Sequence, residues 1–128
     1  MSSHTRDVAE AFSGHRFRDT YDHLAADVVW VSAGGGTTRG RDAVVAVCEH
    51  TLAELAGSTT DFTRFVSVAD ADAAAVDVVG RYTSPEGEIS VVASCDIYEF
   101  RDDLVSQITS YTVEVDADDE NPSSHATT

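Results

Sequence analysis

Asp96 is the only charged side chain in residues 91–98, a run of Val, Ala, Ser, Cys, Ile and Tyr with strand character. A carboxyl group there is either half buried or directed into a cavity. Burial raises a carboxyl pKa and hydrogen-bond donors lower it again. Held neutral, Asp96 could donate a hydrogen bond to an enolate or phenolate oxygen. Held as a structural carboxylate, it would instead accept bonds from a hydroxyl or a backbone N–H. Tyr98 lies two residues further on, on the same strand face, and could help it. These two are the candidate catalytic residues.

Four more side chains join them as candidate pocket residues. Trp30 and Ser32 share one face of an earlier strand, and Tyr82 can reach the same space from a neighbouring one. Large aromatics in strands commonly belong to a core, but a tyrosine hydroxyl is also a polar handle in an apolar cavity. His50, on a long helix, could overhang the pocket mouth as an acid or base. The histidines at 4, 15, 23 and 125 show no ligand spacing, and neither do Cys48 and Cys95. No metal or other cofactor is expected. The cysteines read as small buried hydrophobes in a reducing compartment. Gly34-Gly35-Gly36 matches neither nucleotide-binding glycine pattern and reads as a hairpin turn.

The elements that would position these residues follow from periodicity. A short helix is expected at about residues 5–12, interrupted by Gly14. A second helical stretch carries Phe17, Tyr21 and Leu24 on one face. A strand at 28–32 precedes the glycines, and a short strand at 37–39 follows them. The clearest helix starts after Gly40 and stops near Gly57, with Val44, Val47, Cys48, Thr51, Leu52 and Leu55 at helical spacing. Four long strands follow, at about 62–68, 74–84, 88–101 and 104–115, joined by Ser84-Pro85-Glu86-Gly87 and Asp102-Asp103 among other turns. Helices first and a run of antiparallel strands afterwards make an α+β domain over residues 1–115. Residues 116–128 are acidic and polar, and are expected to be a disordered tail.

The chain has 128 residues, enough for one domain with its own core. Its 8 basic residues are all Arg, and 23 acidic residues leave a net charge of −15. Such a chain lacks the basic footprint that nucleic acid or an anionic membrane surface requires. The N-terminal residues lack the apolar core of a signal peptide, and no apolar run reaches membrane-spanning length. A cytoplasmic protein is expected. In the strand at 74–84, Val78 and Val79 lie on opposite faces, so both sheet faces carry apolar residues. The outer one is expected to be covered by a second copy of the chain, in a homodimer.

Three segments resemble the NTF2-like superfamily and its SnoaL-like domains: Leu24-Ala25-Ala26-Asp27-Val28-Val29-Trp30, Arg39-Gly40-Arg41-Asp42-Ala43-Val44, and the stretch from Cys95 to Leu104. Together with the element order they span residues 5–115. The resemblance implies a cone-shaped fold, with helices packed on a curved antiparallel sheet and a small-molecule pocket between them. It also implies isomerase, cyclase, epoxide hydrolase or purely binding activities. In a ketosteroid isomerase-like arrangement the base position falls on Ser32, the tyrosine position near Val8 and the oxyanion-hole acid on Asp96. In limonene epoxide hydrolase-like enzymes the Arg-x-Asp pair falls near Val79 and Arg81. The last-strand acid of those enzymes, and of the polyketide cyclases, falls on Ser110, which makes Ser110 a pocket candidate. The expectation is a protein that binds a small, mostly apolar molecule, with Asp96 as the polar centre of a proton transfer, isomerisation or cyclisation. The alternative is a non-catalytic ligand-binding or dimeric interaction module.

Overall fold

The computed structural model describes residues 3–116. The expected tail falls, but for Asp116, outside the described residues. A helix α1 (Ser3–Ser13) leads through a 3-10 turn (Phe17–His23) into β1 (Leu24–Ser32) and a short β2 (Thr37–Arg39). Helix α2 (Arg41–Leu55) follows, and then β3 (Thr59–Ala69), β4 (Ala73–Thr83), β5 (Ile89–Arg101) and β6 (Leu104–Val115). The six strands form one sheet in the order β2-β1-β6-β5-β4-β3. All neighbours are antiparallel except β1 and β6, which run parallel.

The expected elements appear, with one change of type. Leu24 is not the end of a second helix; it opens β1 and is fully buried. The Phe17–Tyr21–Leu24 spacing fits a helix face, but the chain keeps only 3-10 turns there before it extends, a common use of 3-10 geometry as a connector. The last hairpin is tight. Asp102 and Asp103 both have positive φ, 53° and 67°, and Arg101 pairs directly with Leu104. Two left-handed residues between paired strands match the right-handed strand twist, and Asp tolerates that conformation better than most side chains.

The register puts even-numbered residues of four strands on one face. Asp96 pairs with Val76 on one side and Ser110 on the other, and Tyr98 with Ala74 and Ile108. Trp30 pairs with Ile108, and Ser32 with Ser110. At one end this face is a dry core of Val28, Val76, Tyr98 and Ile108, closed by Val8, Ala9 and Phe12 of α1 and by Val44 and Cys48 of α2. Burial pushes the Cys48 thiol up to about 12, as befits a buried small hydrophobe.

Polar ties hold both helices on the sheet. Thr5 Oγ1 donates to the Asp70 carbonyl at 2.6 Å, and Arg6 reaches the Ser67 carbonyl at 3.1 Å. These fix α1 against the edge of β3. Glu49 of α2 accepts from Arg18 at 2.8 and 2.9 Å and from Tyr21 at 2.8 Å, which ties α2 to the 3-10 turn. Those donors hold its carboxyl low, at about 2.

Candidate active site

Beyond the dry core, the same sheet face opens into a cavity of about 370 Å³. That falls in the roughly 300–1,000 Å³ range of small-molecule sites. Phe12, Phe17, Trp30, Phe62 and Tyr82 wall it from five different elements, and Asp96, Ser94, Ser110 and Thr112 form a polar strip along β5 and β6.

Asp96 is 9% exposed and lines this cavity. Its Oδ2 accepts a hydrogen bond from Ser13 Oγ at 2.7 Å, and its Oδ1 a longer one from Ser94 Oγ at 3.3 Å. Ser13 Oγ also lies 2.5 Å from the Tyr98 hydroxyl. A serine has one O–H to give. Because that proton goes to Asp96, Tyr98 must donate to Ser13. The result is a chain of donors, Tyr98 to Ser13 to Asp96, ending on a carboxylate oxygen. Tyr98 is fully buried, and burial together with the Asp96 charge holds its hydroxyl well above the usual phenol range, so it keeps its proton.

Tyr98 does not itself line the cavity; it is buried in the core beside Ser13, next to Asp96. Trp30 does line the wall, edge-on to Phe12 at 5.0 Å, and its indole N–H donates to Ser110 Oγ at 2.9 Å. Ser32 sits at the exposed rim. Tyr82 folds its ring back over Gly80, where an added Cβ would lie 2.8 Å from the tyrosine oxygen, so the glycine makes room for the ring. Its hydroxyl is shifted upwards by burial and by the Asp96 charge, and it stays a donor.

His50 is a correction. It does not overhang the pocket; it is exposed on α2 and pairs with Glu54 at 3.3 Å. The buried stripe of α2 runs through Val44 and Cys48, and position 50 is turned about 200° from Cys48. Thr51 reaches the cavity instead.

Two site residues were not singled out from the sequence, Ser13 and His15. Helix α1 ends with Arg16 N–H bonded to the Ala11 carbonyl at 2.8 Å and His15 N–H to the Phe12 carbonyl at 3.1 Å. This is the Schellman pattern, in which the residue past the cap is left-handed and commonly Gly. Here that residue is not Gly14 but His15, at φ 66°. Its ring lines the cavity, roughly parallel to Tyr82 at 6.0 Å and packed near Phe17 and Phe62 at 5.5 Å each. Burial lowers its pKa, while the charge of Asp96 works the other way, so at neutral pH it is a neutral imidazole. A glycine followed by a histidine after an amphipathic helix was the available signal, and it fits either residue as the left-handed one. Among the described residues, no three His, Cys, Asp or Glu side chains gather into a metal-binding group, and no helix is long and apolar enough to cross a membrane.

His15 yields a pH prediction with a definite sign. Its folded pKa lies below the ordinary histidine value of 6.5, so between the two the unfolded chain binds the extra proton. The stability due to keeping this ring neutral is full above 6.5 and falls as pH drops through that window. His15→Asn, which tolerates the left-handed backbone, removes the titration. In urea unfolding, the wild type is expected to lose stability relative to His15→Asn between pH 7.5 and pH 5. A constant difference across that range contradicts the assignment.

Comparison with known proteins agrees with this architecture. The sequence pattern of the SnoaL-like domain matches residues 5–108. An NTF2-like protein of unknown function from Cytophaga hutchinsonii superposes with a TM-score of 0.76 at 26% identity, covering 88% of this chain and 99% of that one. A candidate polyketide cyclase from Xanthomonas campestris superposes at 0.65 with 18% identity, over 86% and 90% of the two chains. A candidate isomerase of the SnoaL-like family from Agrobacterium tumefaciens does so at 0.64 with 12% identity, over 87% and 98%. No curated protein sequence matches the chain. With the helices, the mostly antiparallel sheet and the family pattern in agreement, this chain belongs to the SnoaL-like family of NTF2-like proteins.

Proposed function

We propose that the chain binds a small, mostly apolar carbonyl compound in the cavity and moves a proton on it, with Asp96 as the base. One observation carries this reading: a buried carboxylate takes a short hydrogen bond at Oδ2 and a longer one, from Ser94, at Oδ1, and the residue lines an aromatic-walled cavity. In the proposed step, Oδ1 takes a proton from the carbon next to the carbonyl, and the electron pair moves onto the carbonyl oxygen. The Tyr82 O–H and a neutral His15 N–H are the available donors for that oxygen. Asp96 then returns the proton to a different carbon, which is isomerisation. Alternatively, the enolate carbon closes on a second carbonyl of the same molecule and the proton held by Asp96 passes to that carbonyl's oxygen, which is cyclisation. Tyr98 takes no direct part and acts by positioning Ser13. The candidate cyclase and isomerase among the structural relatives suit this reaction class. The positions where the better-known family enzymes hold other acids carry Ser32 and Ser110, so the proposed chemistry rests on Asp96.

The test uses 2-tetralone, a flat bicyclic ketone with acidic carbon-bound protons. In deuterium oxide the wild type should speed exchange of those protons, followed by proton NMR, and Asp96→Asn should slow it by about 100-fold or more. Equal rates in the two proteins remove Asp96 as the base. Binding without exchange by the wild type favours the alternative, a non-catalytic binding module. That alternative draws on the same two serines, which cannot act as carboxylate bases.

A homodimer through the outer sheet face is the second part of the proposal. Val66, Val68, Ile97, Tyr111 and Val113 lie exposed there, and the ion pair on that face, Arg64 with Asp77 at 2.9 Å, is already neutralised. A chain with a net charge of −15 repels its own copy least through such a largely apolar surface. One patch meeting itself about a two-fold axis would cover it. In sedimentation velocity the wild type is expected to run as a dimer and Val113→Asp as a monomer. A monomeric wild type at tens of micromolar, or a dimeric variant, counts against the interface.

A further inference from the structure

The cavity has a charge character that the reaction class alone does not specify. Of its fifteen lining residues, one is acidic, Asp96, and none is Lys or Arg. Five aromatic side chains besides His15 share the cavity wall with Asp96, and aromatic faces are themselves electron-rich. The neighbouring arginines stay out of the lining, the exposed Arg16 next to His15 included. Arg18 is bound to Glu49 by two hydrogen bonds, and Arg81 stands on the opposite face of β4 from Tyr82. His15, the only basic group in the lining, is held in its neutral form by burial. An anionic ligand would thus give up its hydration beside a like charge, with no cation to meet it. A protonated amine would meet a carboxylate and ring faces.

From this we infer that the pocket selects its ligand by charge, accepting flat neutral or cationic molecules and rejecting those with a free carboxylate or phosphate. The ligands this leaves are neutral or basic, with any acid group masked before binding. The inference rests on the reading of this cavity as a ligand site, but not on Asp96 being a base.

Three naphthalene probes of nearly one shape isolate the charge: 2-naphthylmethylammonium, 2-naphthalenemethanol and 2-naphthoate. The chain has a single tryptophan, so Trp30 supplies one indole N–H cross-peak in a nitrogen–proton NMR spectrum, and its wall position reports on the cavity directly. Titration should move that peak with the ammonium and the alcohol, while the carboxylate binds at least about tenfold more weakly than the alcohol. In Asp96→Asn the ratio of ammonium to carboxylate affinity should shrink by about tenfold, with the alcohol as an internal check that the pocket is intact. If 2-naphthoate binds as tightly as the alcohol, or if Asp96→Asn leaves the ratio unchanged, charge selection is wrong and the pocket reading stands. If no probe moves the Trp30 peak, the pocket reading itself fails and takes the inference with it.

Discussion

A carboxylate buried among aromatic rings must be hydrogen-bonded, and the way Asp96 meets that demand organises the rest of the molecule. Leaving such a group without donors costs several kcal/mol. The nearest donor, Ser13, has one proton and two neighbours, so its bond to Asp96 obliges Tyr98 to donate in turn. Tyr98 can do this only from the buried face of β5, and Ser13 only from the last turn of α1. The helix must therefore end where it does, against this strand. Thr5 and Arg6 hold the other end of α1 on β3. One satisfied polar chain thus locks the angle at which the helix crosses the sheet, and with it the opening of the cavity.

The same geometry separates a core from a site on one continuous sheet face. Moving along the even-numbered positions of β5, Tyr98 is sealed in apolar contacts, Asp96 stands at the boundary and Ser94 and Val92 face the cavity. On β6 the sequence Ile108, Ser110, Thr112 repeats the gradient. Trp30 bridges the two regimes by packing on Phe12 while giving its N–H to Ser110. The left-handed backbone at His15 belongs to the same boundary. It reverses the chain directly after Ser13 and delivers an imidazole to the cavity wall among Phe17, Phe62 and Tyr82, a strained conformation of the sort that gathers at functional sites.

Much of the fold was legible because strand and helix periods are local. The β4, β5 and β6 patterns placed Tyr82, Asp96 and Tyr98 on their correct faces, and β2 and β6 begin and end where composition and turn residues put them. What stayed hidden depends on contacts between distant segments. Ser13 is 83 residues from Asp96 and 85 from Tyr98, so nothing local marks it as their shared partner. The parallel pairing of β1 with β6 is likewise a product of the crossover, not of either strand's pattern. His50 shows the opposite failure: helical phase was available, and by that phase Thr51 was the better candidate. His15 was passed over because its role lies in a backbone angle, which residue type only weakly announces.

Tyr98, Ser13 and Asp96 act as one hydrogen-bonded unit that holds the carboxylate at the cavity. A double-mutant cycle on stability tests it most directly, with Ser13→Ala, Tyr98→Phe and the double variant compared by urea unfolding. Contacting members of one network show coupling of about 0.5–3 kcal/mol, whereas independent sites add to within about 0.5 kcal/mol. Coupling of about 1 kcal/mol or more is expected, because either single change leaves a buried oxygen short of a partner. Simple additivity would contradict it, and Asp96 would then be held by something other than this chain.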